Sequence, residues 1–154
     1  MYRLTLAIVG NEADATDATQ DTFIAAWKQI RALRDPARLD AWLARIAVNA
    51  ARMLTRSRRR RAVREIPGLA LLADTRPGPL GDPGGRLAED GRALGAALDH
   101  LSADQRAILA LRHLEGRDVA EIAARLGIRS GTVKSRLFSA RRALAAALAE
   151  EDPS

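Results

Sequence analysis

The 154-residue sequence has no cysteine. Disulfide scaffolds, thiolate metal sites and thiol nucleophiles are therefore excluded together. Aromatic residues make up only 3%, so a core has to be built from Leu, Ala, Ile and Val, which favours helix packed on helix. No apolar run approaches the length of a membrane span. The run from Leu4 to Val9 is too short for the hydrophobic part of a signal peptide and leads into acids rather than a cleavage site. A cytoplasmic chain with no membrane insertion is expected. No segment alternates apolar and polar residues, so no sheet is expected either. There is no glycine loop to cradle phosphate, and His100 and His113 lack neighbouring ligands, so no cofactor and no metal are anticipated. The first serine is Ser57, inside a run of arginines, which suits no nucleophile on a mixed sheet. The chain is expected not to be an enzyme.

What the sequence does have is cation. Lys and Arg number 25 against 19 Asp and Glu, a formal charge of +6, and the excess is nearly all arginine. That balance points to a polyanionic partner once the charges are shown to cluster.

The clustering is visible along the chain. Ala15, Ala18, Thr22, Phe23, Ala26, Trp27 and Ile30 follow the three-and-four rhythm of an amphipathic helix. Asp14, Asp17 and Asp21 lie near its start, where the helix dipole favours carboxylates. Pro36 stops it by disfavouring a helical Asp35. A second apolar stripe runs through Leu39, Trp42, Leu43, Ile46, Ala47, Ala50, Met53 and Leu54. It ends in "RMLTRSRRRRAVR", with seven arginines from Arg52 to Arg64 and no acid. Between Pro67 and Gly85 lie four of the six prolines and five of the eleven glycines, a density of breakers that predicts a linker. Two small helical domains follow, the second opening near Leu87 with about four helices.

In that second domain, Ser102 with Gln105 and Asp118 with Glu121 have capping-box spacing. Ala107, Ile108 and Leu111, then Val119, Ile122, Ala123 and Leu126, are expected inward. In "LGIRSGTVKSRL", Gly127 suits the left-handed stop of one helix, Ile128 packs across the turn, and Ser130 caps the next helix. This is the parts list of a helix-turn-helix. Val133, Leu137, Ala140 and Leu144 form the inner stripe of its second helix. Thr132, Ser135, Arg136, Ser139 and Arg142 point the other way, with Lys134 and Arg141 at the flanks, and no carboxylate occurs from Ser130 to Arg142. A solvated face would interleave both signs; hydroxyls flanked by cations suit the floor and walls of a major groove.

Together, "DATDATQDTFIAAW", "AWLARIAVNAARMLTRSRRRR" and "LSADQRAILALRHLEGRDVAEIAARLGIRSGTVKSRLFSARRAL" resemble the extracytoplasmic-function (ECF) group of RNA polymerase sigma factors, in the sigma-70 family. The resemblance implies an all-α fold with residues 1–61 as region 2, which binds core polymerase and the −10 element. It also implies a flexible linker over 62–95, and 96–150 as region 4, a helix-turn-helix domain that binds the −35 element. A further helix normally precedes "YRLTLAIVG" in the family, so region 2 is expected to be short at its amino end. Asp14, Asp17, Gln20 and Asp21 would meet the β′ clamp helices of core polymerase, while Phe23 and Trp27 are expected in the core. Arg45, Arg52, Arg56, Arg58 and Arg59 would hold phosphates around the −10 element, and Asn49 would reach a base edge. The loop from Asp35 to Asp40 would lie near a flipped base. Trp42 is either a stacking wedge or a core residue. Ser130, Thr132, Lys134, Ser135, Arg136, Ser139 and Arg141 would read the −35 element. The expected partners are core RNA polymerase, through the β′ clamp helices and the β flap, promoter DNA, and an anti-sigma factor.

The rival is a helix-turn-helix regulator of the response-regulator output type. It would bring βαβ alternation and an acidic cluster upstream, and the sequence shows neither.

Overall fold

The computed structural model describes residues 1–64 and 85–151, with side chains described for 1–64 and 90–150. Seven α-helices follow one another among the described residues, with no strand: α1 (Tyr2–Val9), α2 (Glu12–Gln29), α3 (Leu39–Arg64), α4 (Gly85–Asp99), α5 (Ala103–Leu109), α6 (Val119–Leu126) and α7 (Ser130–Glu151). The expected linker over 62–95 falls largely on residues 65–84, which lie outside the described residues. Within them, α3 continues to Arg64 and α4 already begins at Gly85.

Local chemistry sets most of the boundaries. Gly10 ends α1 at φ +85°, donating its N–H to the Leu6 carbonyl, and Asn11 then caps α2 by accepting from the Asp14 N–H at 2.9 Å. Asp35 accepts from the Ala37 N–H at 3.0 Å and starts a 3-10 turn over Pro36–Arg38 that leads into α3. Both expected capping boxes are present, Ser102 with Gln105 at α5 and Asp118 with Glu121 at α6. A π-helical turn over Ala110–Leu114 prolongs α5.

Packing joins both halves in one apolar cluster. Leu4 and Ile8 of α1, Ala44, Ala47, Val48 and Ala51 of α3, Ile108 and Leu111 of the α5 segment, Ile122 of α6 and Val133, Leu137 and Ala140 of α7 all belong to it. Helix α1 is the shared piece, packing on α2, α3 and α5. A buried polar clasp fixes it to α2: the Thr5 hydroxyl bonds Thr19 Oγ1 at 2.8 Å and donates to the Ala15 carbonyl at 3.2 Å.

Two expected stripes are corrected. On α2, Ala15, Ala18, Thr22 and Ala26 are buried, but Phe23, Trp27 and Ile30 are 54%, 82% and 47% exposed. On α3 the buried face is Ala44, Ala47, Val48 and Ala51, whereas Leu39 and Met53 are exposed. At 100° per residue, that face lies about a third of a turn from the expected one. Small residues won in both helices because they let α1, α2 and α3 approach closely, leaving the large apolar side chains outside the seam. Ser130 is also corrected: α7 begins on it, and Arg129 holds the position whose carbonyl accepts from the Val133 N–H.

Candidate nucleic-acid interface

The turn between α6 and α7 is built as its residues dictate. Gly127 sits at φ +64° and donates to the Ala123 carbonyl, closing α6. Ile128 donates its N–H to the same carbonyl at 3.1 Å and packs on the core. From there α7 runs 22 residues, about 33 Å. Its inner stripe of Val133, Leu137 and Ala140 is buried, with Leu144 packed against it. Opposite, Ser130, Lys134, Ser135, Arg136, Ser139 and Arg141 are exposed and Thr132 is half-buried. The Ser135 hydroxyl donates to the Thr132 carbonyl at 3.0 Å. Arg142 lies 5.8 Å from the centre of the Phe138 ring. Among the described residues, no acid pairs with the cations of α7, so this face presents uncompensated positive charge.

Helix α3 carries the second basic surface. Arg45, Asn49, Arg52, Arg56 and Arg59 recur at spacings of four, three, four and three, and so share one stripe. Arg45, Asn49, Arg56 and Arg59 are exposed, and Arg52 is half-buried. Arg58 leaves the stripe and turns back to α2, where its Nη2 lies 2.5 Å from Asp14 Oδ1. Asp14 also accepts from the Asn11 amide at 2.9 Å and is 4% exposed. The two are thus engaged with each other. Asp17, Gln20 and Asp21 are exposed on the outer face of α2. Trp42 is half-buried and, with Phe23, Trp27, Ile30 and Leu39, lines an apolar groove of about 280 Å3 between α2 and the start of α3.

Sequence reasoning missed a set of charges that tie the halves together. Asp40, at the head of α3, forms ion pairs with Arg125 of α6 and, at 3.2 Å, with Arg117. Arg117 also reaches Glu121 at 3.3 Å. Arg52 Nε is 2.5 Å from Asp104 Oδ1 of α5. The Arg45 guanidinium lies against Gly127, so close that a Cβ there would be 2.9 Å from its Cζ. One signal was available: Arg125 follows Ile122 by three residues on the apolar face of α6, and a cation that is 5% exposed requires a carboxylate from elsewhere. Burial also lowers the Arg106 guanidinium from its ordinary range, opposed by Asp99 and reinforced by the nearby positive charge of Arg59.

The geometry is echoed by known proteins. The family model described as Sigma-70 region 2 matches residues 1–61, and that described as Sigma-70, region 4 matches residues 91–144. The chain is 36% identical to the ECF RNA polymerase sigma factor SigL of Mycobacterium tuberculosis, covering 97% of this chain and 83% of SigL. It is 35% identical to SigE of Mycolicibacterium smegmatis, an ECF RNA polymerase sigma factor, covering 94% of this chain but only 55% of SigE. Among solved structures, the sigma factor RpoE of Bartonella quintana, in complex with the anti-sigma factor NepR, superposes with a TM-score of 0.71 at 27% identity. That match covers 96% of this chain and 88% of RpoE. In each of these three proteins the similarity spans both halves of the chain.

Proposed function

Since the chain belongs to the extracytoplasmic-function group of the sigma-70 family, we propose that it binds core RNA polymerase and directs promoter-specific initiation by recognising −35 and −10 elements. The single observation that carries the −35 assignment is the outer face of α7. It offers Lys134, Ser135, Arg136, Ser139 and Arg141 to a groove with no acid from Ser130 to Arg142, and a helix leaving a tight turn in this way is a major-groove reader. Residues 96–150 form the region 4 unit in this reading and residues 1–61 the region 2 unit.

The stripe of Arg45, Asn49, Arg52, Arg56 and Arg59 serves the −10 element, the arginines on phosphates and Asn49 on a base edge. Trp42, at the wall of the apolar groove, offers a stacking surface to an unpaired base. Asp17, Gln20 and Asp21, exposed on α2, are the polymerase contacts through the β′ clamp helices, and region 4 meets the β flap. Asp14 and Arg58 serve the fold through their mutual pair. The chemistry of chain synthesis belongs to the polymerase, so the protein itself is no enzyme, and it works in the cytoplasm, where polymerase and promoter are. An anti-sigma factor is its regulator, supported by the RpoE complex with NepR.

Run-off transcription from a promoter library, with core polymerase in the presence and absence of the chain, tests this reading. Discrete transcripts that require the chain are expected, and their start sites define both elements. Duplex binding with no chain-dependent transcript would overturn the initiation role and favour a simple regulator.

A further inference from the structure

We propose that the outer face of α2 is a self-association surface, on which a second copy of this chain docks antiparallel about a dyad at Ile24. Asp17, Asp21, Ile24, Lys28 and Arg31 follow one another at spacings of four, three, four and three, and so share one stripe. All five are exposed, and Arg31 stands in the 3-10 turn that prolongs α2. Beside the stripe, Phe23, Trp27 and Ile30 are exposed too and line the apolar groove. Acid thus occupies one half of the stripe, cation the other half, and an isoleucine the middle. None of the four charges has an ion pair among the described residues. Asp17 and Asp21 even stand one turn apart, where like charges repel each other.

The order of the signs identifies the occupant. A nucleic acid or an anionic lipid surface would meet Asp17 and Asp21 at one end of the stripe, and a basic helix would meet Lys28 and Arg31 at the other. A second copy running antiparallel meets opposite charge at both ends, the self-complementarity of an isologous contact. Asp17 and Arg31 lie seven residues either side of Ile24, so each faces the other across the dyad. Asp21 lies three residues before Ile24 and Lys28 four after it, an axial offset of about 1.5 Å that a lysine side chain spans. Trp27 of each copy comes against Phe23 and Ile24 of the other, an aromatic anchor near the centre of the contact. Helix α2 has 18 residues, about 27 Å of length, so the contact belongs with small, transient interfaces. The consequence of this contact rests on the sigma-factor reading. Asp17, Gln20 and Asp21 are the residues assigned to the β′ clamp helices, so a chain paired with its copy is withheld from polymerase.

Sedimentation velocity of the full chain alone tests the contact. A passage from monomer to dimer is expected between about 1 and about 500 µM, the range of a small transient interface. Trp27→Ser should raise the dissociation constant about thirtyfold, the loss of one central anchor. Two charge variants give the readout that only this geometry predicts. Asp17→Lys with Asp21→Lys makes the stripe wholly basic, and Lys28→Glu with Arg31→Glu makes it wholly acidic. Each alone should raise the dissociation constant about tenfold or more, whereas an equimolar mixture of the two should dimerise at least as well as the parent. Adding Trp27→Ser to both should undo that recovery. Should either double variant lose helical circular dichroism, Asp17→Lys and Arg31→Glu as single changes replace them and are mixed in the same way. A parent that stays monomeric to about 500 µM, a dimer indifferent to both charge variants, or a mixture that does not recover overturns the proposal. Both tryptophans of the chain line the groove, so their fluorescence reads its occupancy directly. If oligothymidylate shifts that fluorescence while raising the chain concentration does not, the groove takes a single strand and the second copy is ruled out. Because no polymerase is present, failure here leaves the initiation reading intact, and a failed transcription assay leaves the sedimentation result standing.

Discussion

Replacing Gly127 with alanine isolates the turn between α6 and α7, on which the proposed −35 reader depends. Two costs are in play. The backbone at φ +64° places an L-residue in the left-handed region, which costs about 1–2 kcal/mol for alanine. The new Cβ would also stand 2.9 Å from Arg45 Cζ, but that atom is the far end of an exposed, flexible side chain and can swing away at little cost. The conformational term should therefore decide the outcome. At about 1.5 kcal/mol, a chain of this size loses about 3–6 °C of Tm. Gly127→Asn supplies the control, since asparagine tolerates the left-handed region yet puts a Cβ in the same place. Thermal melts followed by circular dichroism should rank glycine first, asparagine close behind and alanine last. If asparagine falls as far as alanine, and adding Arg45→Ala rescues both, the clash dominates and the assignment of cost to backbone conformation is refuted.

Lys134→Gln should lower the slope of log K against log salt by about 0.9 on a −35 duplex; fluorescence anisotropy across a salt series reads this, and an unchanged slope would remove Lys134 from the phosphate contacts. The rotated faces of α2 and α3 make opposite predictions for two apolar positions. Ala51→Leu, at 0% exposure, should cost about 1–3 kcal/mol by overpacking, whereas Trp27→Ser, at 82% exposure, should stay within about 0.5 kcal/mol of the parent. Urea melts giving the reverse order would restore the expected aromatic core.

Those two positions also show why the fold was only partly legible. Helix existence, the stop at Gly127 and both capping boxes depend on residues within four positions of one another, so spacing alone specifies them. Which face of α2 turns inward depends on what it meets. Two stripes were available, one of Phe23, Trp27 and Ile30, the other of Ala15, Ala18, Thr22 and Ala26. Transfer free energy favours burying the first. Thr5 of α1 decided for the second, because its buried hydroxyl reaches the Ala15 carbonyl and Thr19, a close approach that bulky side chains would prevent. The displaced aromatics then line a groove open to solvent.

The charges divide along the same line. An acid-free helix face is a local pattern, and α7 displays it in sequence and structure alike. Arginine counting, by contrast, treats every cation as available, and the structure separates two kinds. Arg56, exposed and with no ion pair among the described residues, would bring its whole interaction to a phosphate under the proposed −10 role. Under the same proposal Arg52 would first give up Asp104 at 2.5 Å, so what it adds to promoter affinity would be only the difference between two pairs. Arg58 must give up Asp14, a carboxylate that is 4% exposed and would be left uncompensated. A stretch of seven arginines is therefore graded in its freedom to meet a phosphate by acids that lie far off in the sequence, and under the proposed role the least committed of them would grip the duplex first.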